Sequence, residues 1–322
     1  MIPALVVIAV LVLVHLAAAV VATRVIAARI EEQNPPGGVF VPVTGGHLHL
    51  YDLAPAAPAG PAILLIHGAT SNARDMVVAL GEELARRHRV IAVDRPGHGW
   101  SSRPRGRADA SPARQAALIA EALRRLGVGK VVVVGHSLAG AVAAAFALDH
   151  AEATAGLVLL APVTHPWPGG VTWYYDIAAR PVLGRLFVGT VMAPLGAWQL
   201  EASAKASFAP LAGPADYARR TAAGLVLRPA EFRWNAQDVA DLLPFVRKQA
   251  ARYGAIGAPT AILASDDDTV VSTAIHATAI ARQIAGARLV LLQGMGHQIH
   301  YNAREAVLAE IERVAADATT AA

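Results

Sequence analysis

Residues 130–140 read Lys130-Val131-Val132-Val133-Val134-Gly135-His136-Ser137-Leu138-Ala139-Gly140, and a small-residue run continues to His150. Four consecutive valines suit a strand buried on both faces. The segment Ser137–His150 reads as a helix. A serine on a tight strand-to-helix turn is the arrangement of a nucleophile elbow, which lifts its hydroxyl above the end of a sheet. Such a turn needs small flanking residues so that the two backbones can pass. Gly135 meets that need before the serine, and Ala139 stands where a second glycine is usual. The competing reading is an ordinary Gly-rich turn with a serine capping the helix.

A serine hydroxyl is a weak nucleophile until a histidine takes its proton, and that histidine needs an orienting carboxylate. Behind an elbow of this kind the chain order is Ser, acid, His. Two downstream loops supply that order. Ser265-Asp266-Asp267-Asp268-Thr269-Val270-Val271 follows a predicted strand at Pro259–Leu263, and Gly294-Met295-Gly296-His297 follows another at Ala287–Leu291. The alternative acid position, after a strand at Gly156–Leu160, reads Ala161-Pro162-Val163 and holds no carboxylate, so the acid is sought in the triple aspartate. Three adjacent aspartates also fit a solvated turn or a divalent-cation site. Donors for a developing oxyanion are expected from the backbone N–H of Leu138, after the serine, and from the loop His67-Gly68-Ala69-Thr70. In that loop the N–H of Ala69 is the better candidate, and His67 reads as a structural hydrogen-bonder.

Further out, apolar runs at Ala62–Ile66 and Val90–Val93 read as buried strands. Phe40–Val43 and His47–Leu53 read as a hairpin turning at Thr44-Gly45-Gly46. Helical patterns occupy Asp75–Arg87, the stretch between Ser111-Pro112 and Gly127, Ile275–Ile284 and Asn302–Ala316. Strands alternating with helices predict an α/β fold with a mostly parallel sheet. The alternation breaks between Pro162 and Pro244. That stretch holds Trp167, Trp173, Trp198 and Trp234, four of the five tryptophans. It reads as a helical insertion over the C-terminal strand ends, its aromatics forming either a small core of their own or a pocket lining.

The front end differs in kind. Ile2–Thr23 carries no formal charge over 22 residues, and about 20 apolar residues span a bilayer. A cleaved signal peptide usually has a shorter apolar region preceded by basic residues, so an uncleaved single-pass anchor is expected. Arg24 and Arg29 follow directly, and the positive-inside bias then puts the catalytic body in the cytoplasm. Glu31–Gly38 reads as a linker, since Pro35, Pro36, Gly37 and Gly38 stop a helix. The chain has 322 residues and no cysteine, which excludes disulfides, cysteine nucleophiles and thiolate metal sites. Its charges sum to +4 (28 − 24), and 25 of the 28 cations are arginines interspersed with acids. No basic stripe suited to nucleic acid is visible.

The elements His67-Gly68, Asp94-Arg95-Pro96-Gly97-His98-Gly99-Trp100-Ser101, the Gly135–Gly140 elbow, Asp268 and Gly296-His297 occur in this order. In them the chain resembles the α/β-hydrolase superfamily, in the branch with a helical cap, over about Val39 to Ala316. The apolar helix, Pro-Pro-Gly linker and hairpin resemble membrane-anchored bacterial members. The resemblance implies an eight-stranded, mostly parallel sheet with helices on both faces. It implies residues 1–23 as anchor, 24–38 as linker, 39–162 and 245–322 as the two parts of the core, and 163–244 as cap. It places the acid at Asp268, two residues before the Val-Val pair, with Asp266 and Asp267 as spacers. Ser272 stands where a proline is common. Relatives with an aspartate nucleophile, the epoxide hydrolases and haloalkane dehalogenases, are excluded by Ser137. The expectation is a serine hydrolase with Ser137 as nucleophile, His297 as general base and Asp268 as orienting acid, acting on a small apolar ester with no cofactor or metal. Two alternatives remain on the same fold. One is a C–C bond hydrolase or a cofactor-free perhydrolase, the former drawing on Arg180, Arg185 or Arg228 for an acidic substrate. The other is a non-catalytic binding protein.

Overall fold

The computed structural model describes residues 2–320. An eight-stranded sheet forms its centre, in the order β1-β2-β4-β3-β5-β6-β7-β8. The strands are β1 (Val39–Val43), β2 (Gly46–Leu53), β3 (Ala62–Ile66), β4 (Val90–Val93), β5 (Val131–His136), β6 (Thr154–Leu160), β7 (Thr260–Ser265) and β8 (Arg288–Leu292). The β1–β2 hairpin adds antiparallel to β4, and β3 to β8 run parallel. The expected α/β class and parallel sheet are both observed.

The β-branched runs sit where both sheet faces are covered. All residues of β4 and β5 are buried, and so are all of β7. One face packs beneath the helices Pro112–Arg125 and Ala139–Asp149, with Ile119, Leu123, Val142 and Phe146 in its core. The other packs beneath the helical run 73–84 and the closing helix Arg304–Thr320, with Met76, Leu80, Ile311 and Val314. The edge strand β8 is only partly covered.

Two expected boundaries shift. The N-terminal helix spans Ile2–Gln33, so ten residues assigned to the linker (24–33) are helical. Arg24, Arg29, Glu31 and Glu32 are good helix formers, and the helix ends only at the Pro35-Pro36 pair. The helix expected to stop near Pro244 also continues beyond it. The helix Pro229–Ala250 passes through that proline. Leu242, Val246 and Gln249 are buried on either side of it, and their packing outweighs the one backbone bond a proline removes.

The insertion is helical, comprising Trp173–Ala179, a run over 183–207 with a π turn at Val188–Met192, Tyr217–Arg220 and Pro229–Ala250. Its own core gathers Val188, Met192, Val226, Leu227 and Phe232. Ile30 of the N-terminal helix packs against that cluster, and Glu31 pairs with Arg228 at 3.3 Å.

Candidate active site

At the end of β5 the backbone of Ser137 takes φ +54°, the left-handed conformation that non-glycine residues adopt only under constraint. The constraint is local. Ser137 N–H donates to Leu160 O at 2.9 Å, and Ser137 O accepts from Gly140 and Val163 at 2.8 and 2.9 Å. A Cβ at Gly135 would lie 2.5 Å from Ala139 O, so the glycine there is required. Ala139 fits, fully buried. The second close approach falls one residue later, where a Cβ on Gly140 would lie 2.4 Å from Pro162 Cβ. This explains why alanine is tolerated at the usual glycine position.

Three side chains from three loops meet above the sheet. His297 Nε2 lies 3.0 Å from Ser137 Oγ, and His297 Nδ1 lies 2.7 Å from Asp268 Oδ2. The His297 and Asp268 side chains are 8% and 1% exposed. The other Asp268 oxygen accepts from Val270 and Val271 N–H at 2.8 and 2.9 Å. Both carboxylate oxygens are therefore held, and one is aimed at the imidazole.

The aspartates read as spacers carry part of this geometry. Asp266 Oδ1 accepts from Gly294 N–H at 3.1 Å, and Asp267 Oδ1 from Gly296 N–H at 3.0 Å. Ser265 Oγ donates to Asp267 at 2.5 Å and accepts from Met295 N–H at 3.0 Å. The Ser265 hydroxyl and the Gly296 N–H hold the Asp267 carboxyl below its ordinary range. The loop that presents His297 is thus pinned along its length by the acid loop. From beneath, His136 Nε2 reaches His297 O at 3.2 Å, and burial keeps His136 neutral by lowering its pKa well below the usual value.

The loop 67–70 lies against the serine, since a Cβ on Gly68 would stand 3.1 Å from Ser137 Cβ. Among the described residues the N–H groups of Ala69 and Leu138 have no protein acceptor, and both residues line the cavity above Ser137. His67 is structural: its Nε2 accepts from Arg95 N–H at 3.0 Å and its Nδ1 meets Gly68 O at 2.8 Å. Arg95 is fully buried. Its guanidinium donates to His67 O and Gly68 O, both at 3.0 Å, and to Asp238 Oδ2 of the cap at 2.6 Å. Arg103 Nη2 lies 2.8 Å from the other Asp238 oxygen. The cap thereby fixes the loop that carries Ala69. Arg95 lies in the Asp94–Ser101 segment, where its sequence neighbours signal no such role, and no local signal marks Asp238.

A cavity of about 1390 Å³ rises from Ser137 into the cap, lined by Trp167, Trp173, Tyr175, Phe187, Phe232 and Leu242 among others. Two of the four insertion tryptophans line it and two do not. Trp198 is 78% exposed on the outside, and Trp234 lies under Arg103 and Arg233. Among the described residues no arginine or lysine lines the cavity. Arg228 is taken up by Glu231, Glu31 and Gly99 O and lies over Trp100. His276 also lines the cavity. Its Nδ1 accepts from Thr164 and His165 N–H at 3.2 and 3.1 Å, which puts its proton on Nε2, and burial lowers its pKa to about 4.

The family model described as "alpha/beta hydrolase fold" matches residues 61–303. An uncharacterised protein of Mycobacterium tuberculosis is 40% identical over 124 residues, which are 38% of this chain and 34% of that protein. The match thus spans about a third of the curated relative. A thermophilic esterase from Thermogutta terrifontis superposes with a TM-score of 0.67 at 22% identity, covering 87% of this chain and 98% of its own. A membrane phospholipase A described as a bacterial virulence factor superposes with a TM-score of 0.67 at 20% identity, over 99% of both chains. At these identities the likeness is one of fold.

Proposed function

The chain belongs to the α/β-hydrolase fold family, and from that premise we propose a membrane-anchored serine hydrolase that cleaves carboxylic esters or related acyl substrates through an acyl-enzyme. The reading rests on one observation: the hydrogen-bonded line from Ser137 Oγ to His297 Nε2 at 3.0 Å and from His297 Nδ1 to Asp268 at 2.7 Å.

In this mechanism His297 Nε2 takes the Ser137 proton as Oγ attacks the ester carbonyl. The carbonyl oxygen becomes an oxyanion and accepts hydrogen bonds from the Leu138 and Ala69 N–H groups, which need no reorganisation to meet it. Asp268 holds the His297 tautomer and supports the imidazolium. The tetrahedral species collapses, the C–O bond breaks, and the imidazolium protonates the leaving alcohol. Water enters, gives its proton to His297 and attacks the acyl carbon. The acid leaves and Ser137 regains its proton.

Two features favour a neutral, apolar ester. The cavity is lined largely by aromatic and aliphatic side chains. Its described lining carries no cation for an acidic dienol, which weighs against the C–C hydrolase alternative. The N-terminal helix, with mean hydropathy 3.0 over its most apolar window, serves as the anchor, and Arg24 and Arg29 keep the body on the cytoplasmic side. Residues 163–250 act as the cap.

Ser137→Ala is expected to lower turnover of p-nitrophenyl esters by at least about a thousandfold. A fluorophosphonate probe should label Ser137 in the wild type and nothing in the variant. Full activity in Ser137→Ala would overturn the reading.

A further inference from the structure

Outside the N-terminal helix, exposed large apolar side chains concentrate on one part of the molecule. Val182, Leu183, Leu186, Val191, Leu195 and Trp198 are 41–78% exposed, and Leu183 to Trp198 all lie on the single helical run over 183–207. Steps of three, five, four and three residues, the five spanning the π turn, align those five as a stripe. A soluble surface rarely carries such a row without a partner.

The same run receives the N-terminal helix, which packs against Val188–Met192 and Ala193–Ser207. Side chains 4–18 of the N-terminal helix are exposed, whereas Ala19, Val20, Thr23, Ile26, Ala27 and Ile30 are partly or wholly covered. The chargeless run ends at Thr23. Its last turn is therefore already seated on the cap, and the first charge, Arg24, comes after the contact has begun. A helix whose uncharged part lies in hydrocarbon places its first arginine at the interface. The cap elements docked on residues 19–23 then stand at that interface too. Two exposed tryptophans, Trp198 at 78% and Trp173 at 64%, are the residue type that interface favours. Leu195 and Trp173 also line the cavity above Ser137, so the stripe and the cavity share a rim.

We propose that the outer face of the cap, centred on Leu183, Leu186 and Trp198, is a bilayer-docking surface. It holds the cavity rim against the acyl–headgroup boundary, so that acyl esters of membrane lipids enter from the membrane rather than from water. The proposal rests on the reading of the N-terminal helix as an anchor, and the experiment separates the two.

The chain has no cysteine, so single cysteines can be labelled cleanly in the full-length protein. Leu183→Cys, Trp198→Cys, Leu11→Cys on the exposed part of the anchor and Leu291→Cys on the far edge strand would each carry an environment-sensitive fluorophore. Each is reconstituted into phosphatidylethanolamine–phosphatidylglycerol vesicles containing brominated lipid. Labels at 183 and 198 should be quenched about twofold or more relative to 291, together with the label at 11. Quenching at 11 but not at 183 and 198 overturns the proposal and leaves the anchor standing. No quenching at any site removes the anchor and the proposal together. Disulfide cross-linking of two copies through position 198 without lipid quenching would put a second copy on the face and overturn it. As a functional readout, Leu186→Glu with Trp198→Glu should lower hydrolysis of vesicle phospholipid about tenfold while leaving a soluble short-chain ester unaffected. Equal rates on vesicles would count against the proposal.

Discussion

At the residue scale the acid loop divides its labour among three aspartates. Only Asp268 meets the imidazole, while Asp266 and Asp267 hold the backbone that presents it. Asp268→Asn is expected to lower kcat by about 10³ to 10⁴ with KM nearly unchanged, because the wrong tautomer of His297 is then favoured. Asp267→Ala should lower kcat by about tenfold, since a loop freed by about an ångström no longer aims the imidazole. Steady-state kinetics on one ester separate the two. The triple aspartate was visible in the sequence, but the division was not. Adjacent residues of one type differ only in what lies opposite them, here a loop almost thirty residues away. Glu231 supplies a pH prediction. Burial lifts it to about 7, although Arg228 and the Gly99 N–H favour its carboxylate. The folded protein then keeps a proton that the unfolded chain releases near pH 4.5. Stability from this group is present below the unfolded value and falls as pH rises toward 7, by up to about 3 kcal/mol. Urea titrations of wild type and Glu231→Gln across that window should differ in slope, the variant being flatter.

At the element scale, the loop that carries Ala69 and the helix Pro229–Ala250 are joined through one buried guanidinium. Arg95 binds the carbonyls of the Ala69 loop and Asp238 of the helix Pro229–Ala250, both side chains fully buried. Asp238→Asn leaves Arg95 and Arg103 with one neutral partner, and should cost about 3–5 kcal/mol in chemical denaturation. It should also lower kcat, because the loop that aims the Ala69 N–H loses its tie. Pro244 is the opposite case. It lies mid-helix and removes the bond that its own N–H would make to Ala240. Pro244→Ala is expected to raise stability by about 1–3 kcal/mol, read as a higher Tm. The strands and the elbow were readable because valine runs and glycine spacing are local signals. The continuation of the cap helix through Pro244 was not, because packing of Leu242, Val246 and Gln249 on distant elements overrides a local breaker.

At the scale of the whole molecule, the N-terminal helix and the catalytic body form one packed object rather than a body on a tether. Glu31 pairs with Arg228, and Trp100 Nε1 donates to Asn34 O at 3.2 Å. Full-length protein should stay in the membrane pellet after an alkaline carbonate wash, at the mass of the uncleaved chain. Release into the supernatant or a shortened mass would refute the anchor. The sequence by itself determined the parallel α/β core, the serine on its strained turn, the order Ser, Asp, His and the chargeless helix. Each is written in period, turn chemistry or composition over a few neighbouring residues. Only the tertiary structure decided which groups meet: Ser137 with His297 across 160 positions, and Arg95 with Asp238 across 143. It also decided that the cavity lining holds aromatics and, among the described residues, no arginine or lysine, and that the apolar stripe lies on the run carrying the N-terminal helix. Contacts between distant segments depend on how whole elements pack, and packing leaves no periodic trace in the chain.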